Sequence, residues 1–274
     1  MRELSNKKVI HVEKEGRHYL QFRKLLEYKD EIKHAYTIGT NVNFRTRTEA
    51  DWEKNSYRKL CEDFDENMNN LVKPNLEHTG NVQIVRKKIN DGKPDMILHN
   101  YDKTDGLITN KKNFILSTTN ADCILLLFYD PIKKVIANVH SGWRGTVARI
   151  ATNTVEQMIK EYKCNPKDII CCITPSIRKC HFEVDEDVKD MFENEFQDII
   201  AEYGKEEIIE VKIKNKKWNI DTVRINQIIL KNIGLKPENI IDSGICTVCN
   251  SDVIHSFRAE KEIKGLETAI IELK

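Results

Sequence analysis

The pattern of hydrophobic and polar positions changes along the chain, from alternation typical of strands to the three- and four-residue spacing typical of helices. Two short apolar runs, Cys123 to Tyr129 and Lys134 to His140, are rich in Ile, Leu, Val and Phe. Asp130-Pro131 separates them, and both residues favour turns. The pattern therefore predicts a β-hairpin, around which the rest of the fold is expected to form.

The position of the turn decides which side chains of this hairpin face each other. A turn centred between Pro131 and Ile132 places Cys123 directly opposite His140. Directly opposed Cβ atoms lie roughly 4.5–5.5 Å apart on one face of a sheet. We therefore expect the thiol and the imidazole to be close enough to share one metal ion or one proton.

Downstream of the hairpin the spacing becomes helical. It predicts three helices with a strand after the first of them. Strand, helix and strand in this order predict that part of the sheet is parallel, with helices on its faces. The predicted segments are helices Thr146 to Lys163, Asp185 to Tyr203 and Thr222 to Ile233 (capped by Asp221), strand Asp168 to Ile173, and a terminal strand Thr268 to Leu273.

Alternation in the first 40 residues adds further strands, so the expected fold is α/β. Because neither a repeat nor a low-complexity linker divides residues 1–274, we expect one domain. The net charge is +1, from 44 Lys and Arg against 43 Asp and Glu. This balance gives no electrostatic reason to expect nucleic acid or an anionic membrane as partner, and favours small molecules.

Eight cysteines in a chain without an export signal are expected to be reduced, and each is a candidate ligand, nucleophile or small buried side chain. No segment approaches the roughly 18 apolar residues of a membrane span. We expect a cytoplasmic protein. The N-terminal segment has no uninterrupted apolar core of the kind that a signal peptide requires.

A candidate anion site follows the second strand of the hairpin. The segment His-Ser-Gly-Trp-Arg-Gly leads from that strand into a helix, whose free backbone N–H groups attract anions. Gly142 and Gly145 permit close backbone approach, and Arg144 can hold phosphate with two parallel hydrogen bonds. The glycines could equally shape a tight turn, with Arg144 paired to a carboxylate.

A third ligand would complete a metal site around Cys123 and His140. His78 is the candidate, and three ligands with one open position are typical of catalytic zinc. The spacing matches no local zinc template, so the residues alone favour a buried cysteine and a hydrogen-bonded histidine over a metal site. Asp122 is expected to have a structural role, because it alternates away from Cys123 on a regular strand.

Two further motifs contain metal-ligand residue types. His181-Phe182-Glu183 with a later Cys-x-x-Cys is similar to the zinc deaminase signature, although Ile245 stands where that signature has proline. Cys246 and Cys249 could form a redox pair or half of a structural zinc site. Because the sequence contains no second Cys-x-x-Cys, local packing is the expected role of this pair.

Several motifs in one order carry a resemblance to a known family, from about Thr37 to Leu273. The chain resembles the laccase-domain family, formerly labelled multicopper polyphenol oxidoreductases and now regarded as purine nucleoside phosphorylases. HSGWRG is the most specific of its motifs. The motifs are EHTGNV (77–82), DGLIT (105–109), ADC (121–123), DP (130–131), HSGWRG (140–145), CTVC (246–249) and HSFR (255–258).

The resemblance implies a zinc ion held by His78, Cys123 and His140. It implies layered mixed β-sheets flanked by helices, similar to the catalytic domain of cytotoxic necrotizing factor toxins. The implied activities are phosphorolysis of adenosine, inosine and methylthioadenosine, and deamination of adenosine. Cys123, His140 and Arg144 are then the expected catalytic residues. Arg144 would hold phosphate, Asn41 would lie near the substrate, and the protein would be a monomer or homodimer.

Two observations on the sequence qualify these expectations. The family's GPSIGP loop is replaced by a segment with Arg178 and Lys179, which leaves substrate preference open. None of the eight histidines forms the His-x-His pairs of multicopper oxidases, so the sequence argues against copper and against the older polyphenol oxidase label. Alternatives are a metal-free cysteine hydrolase using Cys123 and His140, and a zinc-stabilised binding protein.

Overall fold

The chain forms a layered mixed α/β fold, as predicted. A computed structural model describes residues 1–46, 56–86, 101–212 and 216–274. Two six-stranded sheets pack face to face, and helices cover their outer sides. A small three-stranded sheet lies beside the helices of the second sheet. None of the helices in the described part of the chain combines the length and apolar character needed to cross a bilayer.

The first sheet joins both ends of the chain. Its strands are antiparallel except for the final pair, which is parallel. The terminal strand lies in its centre. In spatial order the strands are β1 (Val9–Lys14), β2 (Arg17–Phe22), β3 (Ile32–Ile38), β15 (Glu267–Leu273), β7 (Ile115–Asn120) and β4 (Leu71–Val72).

The second sheet contains the predicted hairpin at its centre. In spatial order its strands are β14 (Ile240–Asp242), β10 (Ile170–Ile173), β8 (Ile124–Asp130), β9 (Val135–Ser141), β6 (Gly106–Thr109) and β5 (Val82–Ile84). The small sheet contains β11 (Glu183–Val184), β13 (Lys217–Ile220) and β12 (Ile209–Lys212).

The three predicted helices are present, two of them interrupted, and further short helices lie outside the predicted segments. They are α1 (Arg23–Leu26), α2 (Tyr57–Asp63), α3 (Trp143–Val147), α4 (Ile150–Tyr162), α5 (Glu186–Glu195), α6 (Gln197–Tyr203), α7 (Thr222–Asn232) and α8 (Phe257–Glu260). The predicted helix 146–163 is two helices, because Arg149 adopts a left-handed conformation (φ 53°) between them. The predicted helix 185–203 is interrupted at Phe196.

Burial explains why β8 is apolar at almost every position and why β9 begins with three apolar residues. Leu125 and Leu127 of β8 face the first sheet, whereas Leu126 and Phe128 face the helices. Both faces of the hairpin are thus covered, so the sequence shows a continuous apolar run rather than alternation. A third cluster packs α2 on the outer face of the first sheet, around Tyr57.

The predicted register of the hairpin was wrong by two residues. Leu125, not Cys123, pairs with His140, and the last pair before the turn is Asp130 with Val135. The loop has four residues, because the Asp130 carboxylate accepts the backbone N–H groups of Ile132 (2.8 Å) and Lys133 (2.9 Å). The error is an even number of residues, so Cys123 and His140 remain on the same face.

The predicted parallel arrangement is confirmed. The chain leaves β9, passes through α3 and α4, and returns as β10, which is antiparallel to β8 and hence parallel to β9. A second crossover through α7 places β14 parallel to and beside β10. Asp221 caps α7 as expected, accepting the Arg224 backbone N–H at 2.9 Å. These crossovers cover the outer face of the sheet and leave the ends of β8 and β9 accessible.

Candidate metal centre and cavity

Three predicted ligands meet at one end of the hairpin. Cys123 immediately precedes β8, His140 is the penultimate residue of β9, and His78 lies in the loop before β5. Their ligand atoms all lie within 4.8 Å of one another. The Cys123 Sγ is 4.0 Å from the His78 Nε2, and the two imidazole rings meet edge to face at 4.9 Å. The structure therefore brings together the three residues predicted as metal ligands.

Gly142 keeps this cluster open. A Cβ atom at this position would lie 2.8 Å from the His78 ring, 3.2 Å from the Cys123 Sγ and 3.3 Å from the His140 ring. Any side chain would therefore enter the space between the three ligand residues. The absence of a Cβ at Gly142 preserves room for a group bound by all of them.

Asp105 is the functional residue that sequence reasoning missed. Its carboxylate is fully buried, and its Oδ1 lies 2.9 Å from the His140 Nδ1. The same carboxylate accepts the backbone N–H groups of His78 (3.0 Å) and Thr79 (2.7 Å) and the Thr79 hydroxyl (2.8 Å). One side chain thus orients two of the three ligand residues. An Asp-Gly pair has the local signature of a turn, and its place in the DGLIT motif was the available signal.

Cys123, His140 and Asp105 shift one another's pKa values. Burial alone would raise the pKa of Cys123, but the charge of His140 and hydrogen bonds from both histidines outweigh burial and lower it to about 6. Burial would lower the pKa of His140, but Cys123 and Asp105 raise it to about 9. Burial would raise the pKa of Asp105, and its bonds to His140 and Thr79 lower it. The thiolate is therefore the favoured form of Cys123.

This donor set fits a metal ion. A thiolate and two imidazoles are ligands for soft and borderline first-row metals. The hydrogen bond between Asp105 and His140 Nδ1 is the carboxylate–histidine arrangement that orients metal-bound histidines. Three protein ligands leave further coordination positions for water or substrate. The residues present can thus hold a metal ion that remains accessible to a ligand.

The cluster lies in the wall of a large cavity. Its volume is about 1180 Å³, slightly more than the roughly 300–1,000 Å³ of ordinary ligand pockets. The wall presents aromatic rings, side chains of both charge signs and neutral hydrogen-bonding groups. Examples are Trp143, Phe182, Lys73, Arg258, Thr119 and Asn120. Such a lining suits a ligand with both a flat apolar part and a polar part.

Arg144 and Asn41 are outside the described wall of this cavity. Arg144 is exposed, and its guanidinium lies over the ring of Trp143, 4.0 Å from the centroid. The helix it belongs to, α3, has five residues, so it provides a much shorter dipole than the predicted helix. Asn41 is exposed in the loop after β3. The structure therefore does not bring these two residues together with the metal ligands.

Asp122 has structural contacts, in line with its expected role. It adopts a positive φ of 95° between β7 and β8. Its carboxylate accepts the Thr247 hydroxyl at 2.5 Å and the Arg258 backbone N–H at 2.7 Å. Asp122 therefore ties the residue before Cys123 to the C-terminal part of the chain.

The Arg178 departure also has a structural role. Its guanidinium pairs with Asp242 at 2.7 Å and donates to the Ser243 hydroxyl and the Ile245 carbonyl. These bonds fasten the loop after β10 to the end of β14. The cation added by Arg178 is therefore engaged within the fold.

Comparison with known proteins finds a matching family model and several relatives. The family model described as "Multi-copper polyphenol oxidoreductase laccase" matches residues 32–274. The purine nucleoside phosphorylase YlmD of Bacillus subtilis is 31% identical over 239 residues, which cover 87% of this chain and 82% of that protein. Adenosine deaminase RL5, from an unknown prokaryotic organism, is 27% identical over 191 residues, 70% of each chain.

A solved structure shows the same fold. The crystal structure of YlmD from Geobacillus stearothermophilus superposes with a TM-score of 0.81, at 21% identity, over 96% of this chain and 98% of that one. Fold and site together define a mixed α/β protein with a Cys/His cluster at the end of a central hairpin. The chain belongs to the multi-copper polyphenol oxidoreductase laccase family, as the motifs predicted.

Proposed function

We propose that this protein is a zinc-dependent purine nucleoside phosphorylase that acts on adenosine, inosine and methylthioadenosine and also deaminates adenosine. The observation that carries the proposal is the three-ligand cluster of His78, Cys123 and His140 in the wall of a 1180 Å³ cavity. Relatives named purine nucleoside phosphorylase and adenosine deaminase support the substrate class. A zinc ion at this centre would supply a Lewis acid and an acidified water.

The lining of the cavity supports the binding of a purine nucleoside. Trp143 and Phe182 offer flat apolar surfaces for a purine, and Arg258 places a positive charge in the same wall. In phosphorolysis, phosphate attacks the ribosyl C1′ as the purine leaves, and positioning with charge stabilisation supplies most of the rate. We assign Arg144 to phosphate binding, since its guanidinium lies over the ring of Trp143, which lines the cavity. We assign Asn41 to substrate contact.

Product analysis tests the activity. Inosine with phosphate should give hypoxanthine and ribose 1-phosphate, and adenosine alone should give inosine. Cys123→Ser should lose the metal ion of this centre and both activities. Failure of the wild-type protein to convert any nucleoside in a panel that includes methylthioadenosine would refute the proposal.

Arg144→Ala tests the phosphate assignment separately. It should raise the KM for phosphate about tenfold or more, because a charge-assisted hydrogen bond is lost, and should leave the metal content unchanged. Lys160→Ala, a cation in the last turn of α4, is the matched control. If Arg144→Ala loses metal instead, its role is structural.

Compartment and partners follow from the same proposal. The eight cysteines are free, as a reducing compartment requires, and the net charge is +1. We propose a cytoplasmic monomer or homodimer whose partners are purine nucleosides and phosphate. Size-exclusion chromatography with light scattering decides between the two oligomeric states.

A second candidate function has a specific observation in its favour. Cys123 has a lowered pKa, His140 lies beside it, and Asp105 binds the far nitrogen of that imidazole. This is the nucleophile, base and orienting carboxylate of a cysteine hydrolase. Metal-free protein in which Cys123 is rapidly alkylated, and which hydrolyses esters or amides, would favour this alternative. Stoichiometric metal at the cluster would contradict it.

A further inference from the structure

Four more metal-ligand side chains meet outside the three-ligand cluster. They come from two segments far apart in sequence, Cys180-His181 in the loop before β11 and Cys246 with Cys249 after β14. Their ligand atoms all lie within 4.8 Å of one another. Sequence reasoning missed this arrangement because it looked for a second Cys-x-x-Cys, whereas the second pair is an adjacent cysteine and histidine.

The distances match a tetrahedral site. The Cys180 Sγ is 3.7 Å from the Cys246 Sγ. The His181 Nδ1 lies 3.1 Å from the Cys180 Sγ, 3.7 Å from the Cys246 Sγ and 3.5 Å from the Cys249 Sγ. Bond lengths of about 2.3 Å for Zn–S and 2.0 Å for Zn–N give tetrahedral edges of about 3.8 Å between sulfurs and 3.5 Å between nitrogen and sulfur. Three of the four measured distances lie within about 0.2 Å of these edges.

A disulfide does not account for the cluster. The separation of 3.7 Å between the sulfurs of Cys180 and Cys246 is far longer than the roughly 2.05 Å of an S–S bond, and all the cysteines are free. We propose that Cys180, His181, Cys246 and Cys249 form a second zinc site with four protein ligands. Thiolates and an imidazole favour zinc over the hard cations calcium and magnesium.

The backbone holds the two segments together independently of any metal. Ser176 forms an isolated parallel bridge with Cys246, and the Thr247 N–H donates to the Ser176 carbonyl at 3.1 Å. The Asn250 side chain donates to the Cys246 carbonyl at 2.7 Å. The ligand pairs are therefore brought into position by the fold, so little ordering is needed when the metal binds.

A positively charged side chain beside the cluster is also suitable for a zinc site with three thiolates. Three thiolates and one zinc ion carry a net charge of −1. The Arg258 guanidinium donates to the His181 carbonyl at 2.7 Å, which places a cation beside the site. Such an outer partner stabilises a thiolate-rich centre.

Four protein ligands leave no open position, so the role of this site is structural. It would fasten the loop that carries Phe182, a residue of the cavity wall. On the other side, Thr247 follows Cys246 and bonds to Asp122, next to Cys123. The second zinc would thus hold one wall of the cavity and brace the three-ligand centre without taking part in the chemistry. This inference goes beyond the proposed function and does not depend on it.

Metal analysis tests the proposal. Full-length protein, purified under reducing conditions and dialysed against a weak chelator, should hold about two zinc ions per chain, one for each cluster. Cys249→Ser should hold about one, since it removes an exposed ligand with little risk to folding. Cys180→Ser should behave alike. Cys61→Ala, a buried cysteine outside both clusters, is the matched control and should keep both ions.

Thiol labelling provides a second measurement. Cys180 and Cys249 are exposed, so a metal-free protein should alkylate quickly at both positions. We expect slow alkylation of the native protein and fast alkylation after a strong chelator is added. Fast labelling without chelator, labelling that requires a reductant, or full zinc retention by Cys249→Ser would each overturn the proposal.

The two proposals fail in different ways. If the second site is absent but the proposed function holds, the wild type converts nucleosides with about one zinc per chain, and Cys123→Ser loses that ion. If the function is wrong but the second site is present, no nucleoside is converted, yet Cys249→Ser still lowers the zinc content by one.

Discussion

A single buried carboxylate organises the three-ligand centre. Asp105 bonds to the imidazole of His140 and to the backbone of the loop that carries His78, where His78 adopts a positive φ of 60°. Left-handed backbone in a residue other than glycine costs free energy and persists where surrounding contacts enforce it. Asp105 therefore fixes both the direction of one ligand and the backbone conformation of another.

Asp105→Asn should weaken metal binding at this centre. The replacement removes the negative charge. Its NH2 group also faces at least one N–H or O–H group that donates a hydrogen bond to Asp105 in the native protein. Loss of such an outer-shell partner typically costs 10–100-fold in metal affinity. Titration with a competing chelator, followed by metal analysis, measures the change. The cluster around Cys180 is the internal control and should retain its affinity. An unchanged affinity at the three-ligand centre would mean that Asp105 acts on the loop alone.

At the scale of elements, the connection between β7 and β8 decides where Cys123 lies. Asn120 donates to the Cys123 carbonyl at 2.5 Å, and Asp122 bonds to Thr247 and to the Arg258 backbone. The bonds of Asp122 run from the start of the hairpin to the C-terminal segment. The connection is short and tightly hydrogen-bonded, which holds the thiol in place at the end of the strand.

Asp122→Ala should lower the free energy of unfolding by about 1–3 kcal/mol, because the buried Thr247 hydroxyl and the Arg258 backbone N–H lose their acceptor. Asp122→Gly removes the same carboxylate but tolerates the positive φ at this position. We therefore expect the glycine variant to be more stable than the alanine variant by about 1 kcal/mol. Urea unfolding of the two variants measures the difference. The reverse order would show that the backbone at Asp122 is unstrained.

At the scale of the whole molecule, Asn138 connects the two large sheets. This residue of β9 is fully buried, and its side-chain amide donates to the carbonyls of Leu116 (2.9 Å) and Ala269 (2.7 Å). The Thr118 hydroxyl donates to its Oδ1. The partners belong to β7 and β15 of the first sheet. A polar side chain thus fixes the relative position of two otherwise apolar faces.

Asn138→Asp should therefore destabilise the whole fold. The replacement removes two donated hydrogen bonds and places an acceptor against two carbonyl oxygens, at a cost of at least about 3 kcal/mol. Urea unfolding at neutral pH measures the loss. The exposed Asn69→Asp is the matched control and should change the free energy by no more than about 0.5 kcal/mol. Equal unfolding midpoints for the two variants would exclude this role for Asn138.

Much of the fold could be predicted because the signals are local. The apolar runs of β8 and β9 predict strands, and the spacing after them predicts helices wherever a helical face is buried. The breaks at Arg149 and Phe196 could not be predicted, since both residues are compatible with a continuous helix. Arg149 bonds to Glu195 at 2.5 Å and to Asp198 at 2.8 Å, contacts that join α4 to the α5–α6 region. Long-range packing decided these interruptions.

Part of the candidate metal centre could be predicted, because the face of a strand on which a residue lies depends on its local position. An even-numbered register error preserves the face of every residue in a strand, so Cys123 and His140 stay together although their pairing was wrong. His78 entered through the motif resemblance rather than through periodicity. Asp105 was missed, because a buried carboxylate next to a glycine has the same local signature as a turn.

The sequence by itself determined the central hairpin, the main helices after it, the shared face of Cys123 and His140, and the family. These properties depend on the period of apolar residues and on short motifs, which are encoded within a few positions. Only the tertiary structure decided the register of the β8–β9 hairpin, the residues that lie beside Cys246 and the residues that line the cavity. Cys180 and Cys246 are 66 residues apart, and no local pattern reports which distant segments meet when two sheets and their crossovers pack.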